Sequence, residues 1–229
     1  MKLDLLAQLN ADRAARKAVI LITDTQSGDQ TLIREDDIAG ADREDLYRVL
    51  IRAGRSRPLT EEEGGGFANV IVPPAKLVLI GAVHISQVLA PLAGMLGYDV
   101  TIVDPRTAFA TEERFPGLTL IAEWPDVALP KVGVDRWTAF CALTHDPKID
   151  DPGLIHAFEK GCFYIGALGS KKTHGRRVER LTVAGISEAD IARIHAPIGL
   201  AIGAQSPAEI AVSIMAQITE ALRLGDRRG

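Results

Sequence analysis

The sequence has only two cysteines, Cys141 and Cys162, too few for a disulfide scaffold. Neither has a Cys-x-x-Cys partner or another spacing that suits a metal. Both lie in apolar runs, TAFCAL and CFYIGAL, that read as buried strands, so both are expected to be core thiols. No apolar run is long enough to cross a bilayer, and the opening MKLDLLAQLNADRAARK is charged and amphipathic rather than a secretory leader. A cytoplasmic protein with no membrane span is expected. Positive charge is not in excess: a net charge of −4 and a pI near 5.8 argue against nucleic acid or an anionic membrane as main partner. The five histidines form no His-x-x-x-His pair, and no Gly-x-Ser-x-Gly elbow occurs. Neither a protein-built metal site nor a standard nucleophile motif is therefore expected.

What is present is a core. At 229 residues and 47% hydrophobic, the chain has room for one medium domain and a small appendage. Residues 3–16 carry Leu3, Leu6, Leu9 and Ala14 at helical spacing. The strand-like AVILIT of residues 18–23, a Ser27-Gly28 turn and a short return at 31–33 follow as a hairpin. A second helix is expected over 42–53, ending near Gly54, and a glycine-rich turn leads into a strand that stops at Pro73-Pro74. Residues 1–72 thus read as a small α+β domain and residues 75–229 as a second domain.

That second domain alternates strand and helix, the signature of a parallel sheet with helical crossovers. Strands are expected at 76–80, 99–103, 118–121, 138–143 and 163–167, and helices at 84–96, 152–160, 171–183, 188–194 and 207–224. The last helix is the best specified, with Ser206 as N-cap, Pro207 at the first position and Glu209 completing a capping box. The expected fold is α/β, Rossmann-like, with helices on both faces of the parallel sheet.

The chemistry should lie at the first β-α turn. A dinucleotide fold places Gly-x-Gly-x-x-Gly there, for a tight turn, close approach of a pyrophosphate and close helix packing. This chain has Gly81-Ala82-Val83-His84-Ile85-Ser86, where only the first glycine remains and Val83 replaces the one that admits the phosphate. Asp104 ends the next strand 23 residues after Gly81, where an acidic residue would receive a ribose hydroxyl, and Arg106 could meet a phosphate. The alternative is that Asp104 and Arg106 simply pair at the strand end.

Three further turns should share the carboxyl edge of the sheet. His145 and Asp146 follow the fourth strand and are candidates to line the ligand crevice, with a local turn stabilised by Asp146 before Pro147 as the alternative. Gly169, Ser170, Lys171 and Lys172 open a helix whose dipole attracts anions, although a solvated first turn is an equal reading. Gln205 and Ser206 precede the last helix. His84 is a candidate to face a ligand, whereas His156 and His174 read as surface residues and His195 as structural.

Four ordered segments, LVLIGAVHISQVLAPLAGMLGYDVTIVDPRTAFATEERFPG, ALTHDPKIDD, YIGALGSKKTHGRRVERL and IHAPIGLAIGAQSPAEIAVSIMAQI, resemble the XdhC/CoxI family of xanthine dehydrogenase accessory proteins. The likeness covers about two thirds of the chain. It implies a maturation factor, commonly dimeric, that binds molybdenum cofactor (molybdopterin) and assists its sulfuration. Such a factor delivers the cofactor to a molybdenum hydroxylase client such as xanthine dehydrogenase, with a sulfur donor protein as a further partner. The pterin's terminal phosphate would suit the helix starts at Gly169–Lys172 and Ser206. In this chain the family's Gly-x-Gly-His reads Gly-x-Val-His, and residues 1–72 hold no cysteine. Two other readings stay open on the residues alone: an NAD(P)-dependent oxidoreductase using His145 or His84, and a nucleotide-sensing interaction protein.

Overall fold

The computed structural model describes residues 3–225. The outermost residues of the two expected domains, 1–2 and 226–229, lie outside the described residues. The chain forms two compact units that divide between Pro73 and Pro74.

The first unit begins with α1 (Leu3–Ala14) and a hairpin of β1 (Val19–Thr23) and β2 (Gln30–Arg34), in which Ile20 faces Ile33. The turn between them is set by Asp24, whose carboxylate accepts the N–H groups of Gln26 at 2.7 Å and Ser27 at 3.0 Å, an Asx turn. After α2 (Glu44–Ala53), which ends on Gly54 at a φ of 61°, come β3 (Arg57–Pro58) and β4 (Phe67–Ile71). The four strands form an antiparallel sheet in the order β2-β1-β4-β3. Ile20 and Leu21 of β1 are buried together with Leu50 and Ile51 of α2.

The second unit is built on a parallel sheet of β5 (Lys76–Ile80), β6 (Asp99–Val103), β7 (Thr119–Ile121), β8 (Thr138–Ala142), β9 (Tyr164–Ala167) and β10 (Ile194–His195). Their spatial order is β10-β9-β8-β5-β6-β7, the doubly wound arrangement whose strand order reverses between β5 and β8. Both faces are covered, which is why these strands read as unbroken apolar runs rather than as alternations. On one face Leu77, Leu79, Ile102 and Cys141 pack with Leu89 and Ala93 of α3 (His84–Met95) and Ile214 and Ile218 of α8 (Pro207–Leu224). On the other, Val78, Ile80 and Phe140 pack with Leu129 of α4 (Pro125–Val132) and Leu154 of α5 (Pro147–Glu159). Leu181 of α6 (Lys171–Val183) and Ile191 of α7 (Glu188–Ala192) complete that core.

Three differences from the sequence reading have physical causes. Helix α5 starts at Pro147, five residues before the expected Pro152, because Asp146 is its N-cap and accepts the Lys148 N–H at 2.9 Å. The helix then runs through Pro152, and Gly153 lets it approach the sheet: a Cβ there would lie 2.9 Å from Phe140 Cζ. Helix α4 carries prolines at 125 and 130 and was not expected. Ile194, expected to end a helix over 188–194, instead joins His195 and extends the sheet as β10, a pairing too short for any periodicity to show.

Candidate functional site

The expected residues up to Lys172 follow the carboxyl ends of β5, β6, β8 and β9. Gly81 has a φ of 118°, and a Cβ on it would sit 2.9 Å from Thr144 Cγ2, so both conformation and space require glycine. Three groups around it are tied down locally: the Ser86 hydroxyl and both backbone groups of Ala82. Ser86, buried at the position of the third fingerprint glycine, donates its hydroxyl to the Gly81 carbonyl at 2.6 Å. The Ala82 N–H donates to Asp104 Oδ2 at 2.7 Å, and the Ala82 carbonyl accepts from Arg114 Nη1 at 2.9 Å. Val83, the second-glycine replacement, is half-buried and packs against the core on the α3 and α8 face. It stands at the N-cap of α3 and gives no side-chain hydrogen bond to that helix. The first-turn amides of α3 therefore have neither an intrahelical acceptor nor a capping side chain. His84 is exposed in that turn.

Asp104 is placed differently from the ribose acceptor expected of it. Its side chain is fully buried, and both oxygens are engaged by Ala82 and by the backbone and guanidinium of Arg106. Desolvation raises its pKa, but Arg106 and the Ala82 and Arg106 N–H groups outweigh that and hold it below the ordinary Asp value. Pairing at the strand end is what the structure shows, inside the fold rather than on its surface.

The β8 turn is held by a residue that the sequence reading did not single out. Asp150, in the first turns of α5, accepts from the Thr144 N–H at 3.2 Å, the Thr144 hydroxyl at 2.7 Å and the His145 N–H at 3.0 Å. His145 is exposed and held at a φ of 65°, an uncommon conformation for a residue other than glycine. Its Nδ1 lies 3.7 Å from where a Gly169 Cβ would stand, which brings the β8 and β9 turns together. Arg177, from α6, donates to the Leu168 carbonyl at 3.0 Å and lies 4.0 Å from Asp150. Arg177 and Asp150 are 2% and 1% exposed. One buried pair thus sets both turns. A charged residue on the apolar stripe of a helix was the available signal, at Asp150 beside Ile149 and at Arg177 before Leu181.

Ser170 caps α6 by accepting the Thr173 N–H at 3.2 Å, and Lys171 and Lys172 are exposed in its first turn. Gln205 and Ser206 do not offer the anion site expected of them. Their N–H groups donate to Glu209 at 2.8 and 2.9 Å, so a carboxylate already occupies the start of α8. His195 is buried and stacked on Tyr164 with ring centroids 4.6 Å apart, in keeping with a structural role. Among the described residues no cluster of acidic, histidine or cysteine side chains could hold a metal ion. Burial pushes the Cys162 thiol up to about 12 and Cys141 higher still, so neither is a ready nucleophile.

Residues 77–218 match the XdhC Rossmann domain family. The chain is 30% identical over 209 residues to a Bacillus subtilis protein named as a probable xanthine dehydrogenase subunit, covering 89% of this chain and 61% of that one. It is 31% identical over 153 residues to the Escherichia coli molybdenum cofactor insertion chaperone PaoD, covering 67% of this chain and 42% of that one. The chain thus spans less than two thirds of the length of these curated relatives. A solved Bacillus halodurans structure, described as a xanthine dehydrogenase, superposes with a TM-score of 0.66 at 24% identity. That match covers 98% of this chain and 65% of the other, and it shows the fold.

Proposed function

The chain belongs to the XdhC family, and from that premise we propose that it is an accessory protein that binds molybdenum cofactor as cargo and assists its insertion into a molybdenum hydroxylase such as xanthine dehydrogenase. The observation that carries this reading is the start of α3. Of the helices that begin beside the β5, β8 and β9 turns, α5 and α6 are capped by Asp146 and Ser170, and α3 alone is uncapped. A helix start with free amides at the switch point of an open parallel sheet suits a phosphate. Gly81 allows the tight turn, Val83, His84 and Ile85 would present their backbone N–H groups to the terminal phosphate, and Lys171 and Lys172 would add charge. Arg106, His145, Asp146 and Gly169 would line the remainder. The cofactor brings a dithiolene-bound metal, and the part of the chain is to hold the pterin and shield it.

Sulfuration belongs to the same reading. The chain's own thiols are buried and poorly ionised, so the sulfur would come from a separate donor protein. A cytoplasmic homodimer completes the proposal, and light scattering tests the dimer. The central test is anaerobic equilibrium binding of molybdenum cofactor to the purified protein, with NAD, NADP and a mononucleotide as competitors. Saturable cofactor binding that the nucleotides do not displace is expected. Saturable NADH oxidation with a small substrate would overturn the proposal in favour of an oxidoreductase.

A further inference from the structure

In a dinucleotide fold the carboxylate that ends the second strand receives a ribose diol. Here that carboxylate is already full. Asp104 Oδ1 accepts from the Arg106 N–H and from Arg106 Nε, both at 2.9 Å. Oδ2 accepts from the Ala82 N–H and from Arg106 Nη2, both at 2.7 Å. A carboxylate has about four lone-pair sites, and all are used. Two of the donors are backbone groups of the turns themselves and remain whatever binds. The other two belong to one side chain. The Arg106 side chain is 34% exposed; its guanidinium carbon lies 4.7 Å from the centre of the Phe109 ring, and the group feels the charge of Asp146 in the β8 turn.

We propose that Arg106 is a specificity-determining residue. By taking the two acceptor positions of Asp104 that a ribose diol would need, it excludes adenosine-bearing dinucleotides and leaves the crevice to ligands held through a phosphate. The inference rests on the reading of this edge as a ligand crevice, but it concerns a different class of ligand from the cargo. A bidentate, charge-assisted pair of this geometry is among the stronger side-chain interactions, so a weakly bound nucleotide does not displace it.

The test is calorimetric titration of the full chain with ADP and with 2′-deoxy-ADP. Wild-type protein is expected not to distinguish the two. Arg106→Ala leaves the backbone donors in place and is expected to bind ADP at least about tenfold more tightly than wild type, with a preference for ADP over the deoxy form. Because a branched residue at 83 restricts the same turn, the comparison is repeated in a Val83→Gly background. Arg106→Gln, which keeps length and loses the fork, replaces the alanine variant if its near-UV circular dichroism departs from wild type. A wild-type preference for the 2′-hydroxyl would overturn the proposal. So would a folded Arg106 variant with no gain in either background. Cofactor binding is read in a separate assay, so a protein that fails to bind molybdenum cofactor removes the proposed function without altering this outcome.

Discussion

Removal of the Asp150 carboxylate should unfold the second unit at a much lower denaturant concentration. The carboxylate accepts three hydrogen bonds from Thr144 and His145 and faces Arg177 at 4.0 Å, with both charged side chains all but fully buried. Nε and Nη1 of Arg177 have no hydrogen-bond partner among the described residues, so Asp150 is its main electrostatic compensation. Breaking a buried pair from one side costs about 3–5 kcal/mol, because the remaining charge is left uncompensated. Thr144 is half-buried and its freed groups can reach water, so no further term is added for them. With a urea dependence of about 2 kcal/mol per molar, Asp150→Ala should lower the midpoint by about 1.5–2.5 M. The assay is urea unfolding followed by tryptophan fluorescence. Both tryptophans, Trp124 and Trp137, lie in the second unit, so the signal reports that unit alone. The double variant Asp150→Leu with Arg177→Met removes both charges and should be less damaged than Asp150→Ala. A midpoint shift below about 0.5 M for Asp150→Ala would refute the reasoning, since the guanidinium could not then depend on this carboxylate.

Other outcomes follow from the same edge. Lys171→Ala with Lys172→Ala should weaken cofactor binding about tenfold at low salt and less at high salt, whereas unchanged affinity would take both out of the site. The folded state's pKa for Asp104 is below its unfolded value, so its contribution is present above about pH 4 and is lost as pH falls through the folded value. Thermal midpoints of Asp104→Asn should therefore fall less steeply than those of wild type between about pH 5 and 2, and parallel curves would contradict this. Cys141 and Cys162 should react with a thiol reagent only at the rate of unfolding; rapid labelling of native protein would show a thiol that the structure does not.

Much of the sheet was legible because strands buried on both faces write themselves as apolar runs, KLVLI and TAFCA among them. The α8 start was legible because a capping box is contained in four adjacent residues. What that pattern hid was its consequence: a completed box leaves no backbone N–H at Gln205 or Ser206 for a ligand. The start of α5 was obscured by Pro152, which reads as a helix start yet lies within one. Asp150 and Arg177 are 27 positions apart and Arg114 reaches back 32 to Ala82, distances over which a single sequence carries no pairing signal. Val83 was legible as a departure, but its packing against the core on the α3 and α8 face needed the fold.

The uncapped start of α3 also bears on how long the protein lasts. A ligand that engages those amides binds the folded chain and not the unfolded one, and so adds stability by mass action, about 2.7 kcal/mol at a hundredfold excess over Kd. A helix that capped itself would gain less. If cofactor binds there as proposed, leaving that one end open would tie survival to occupancy: loaded protein would be the resistant form, and empty protein the one that proteases reach first. The cellular level of such a carrier would then follow the supply of its cargo without a dedicated sensor.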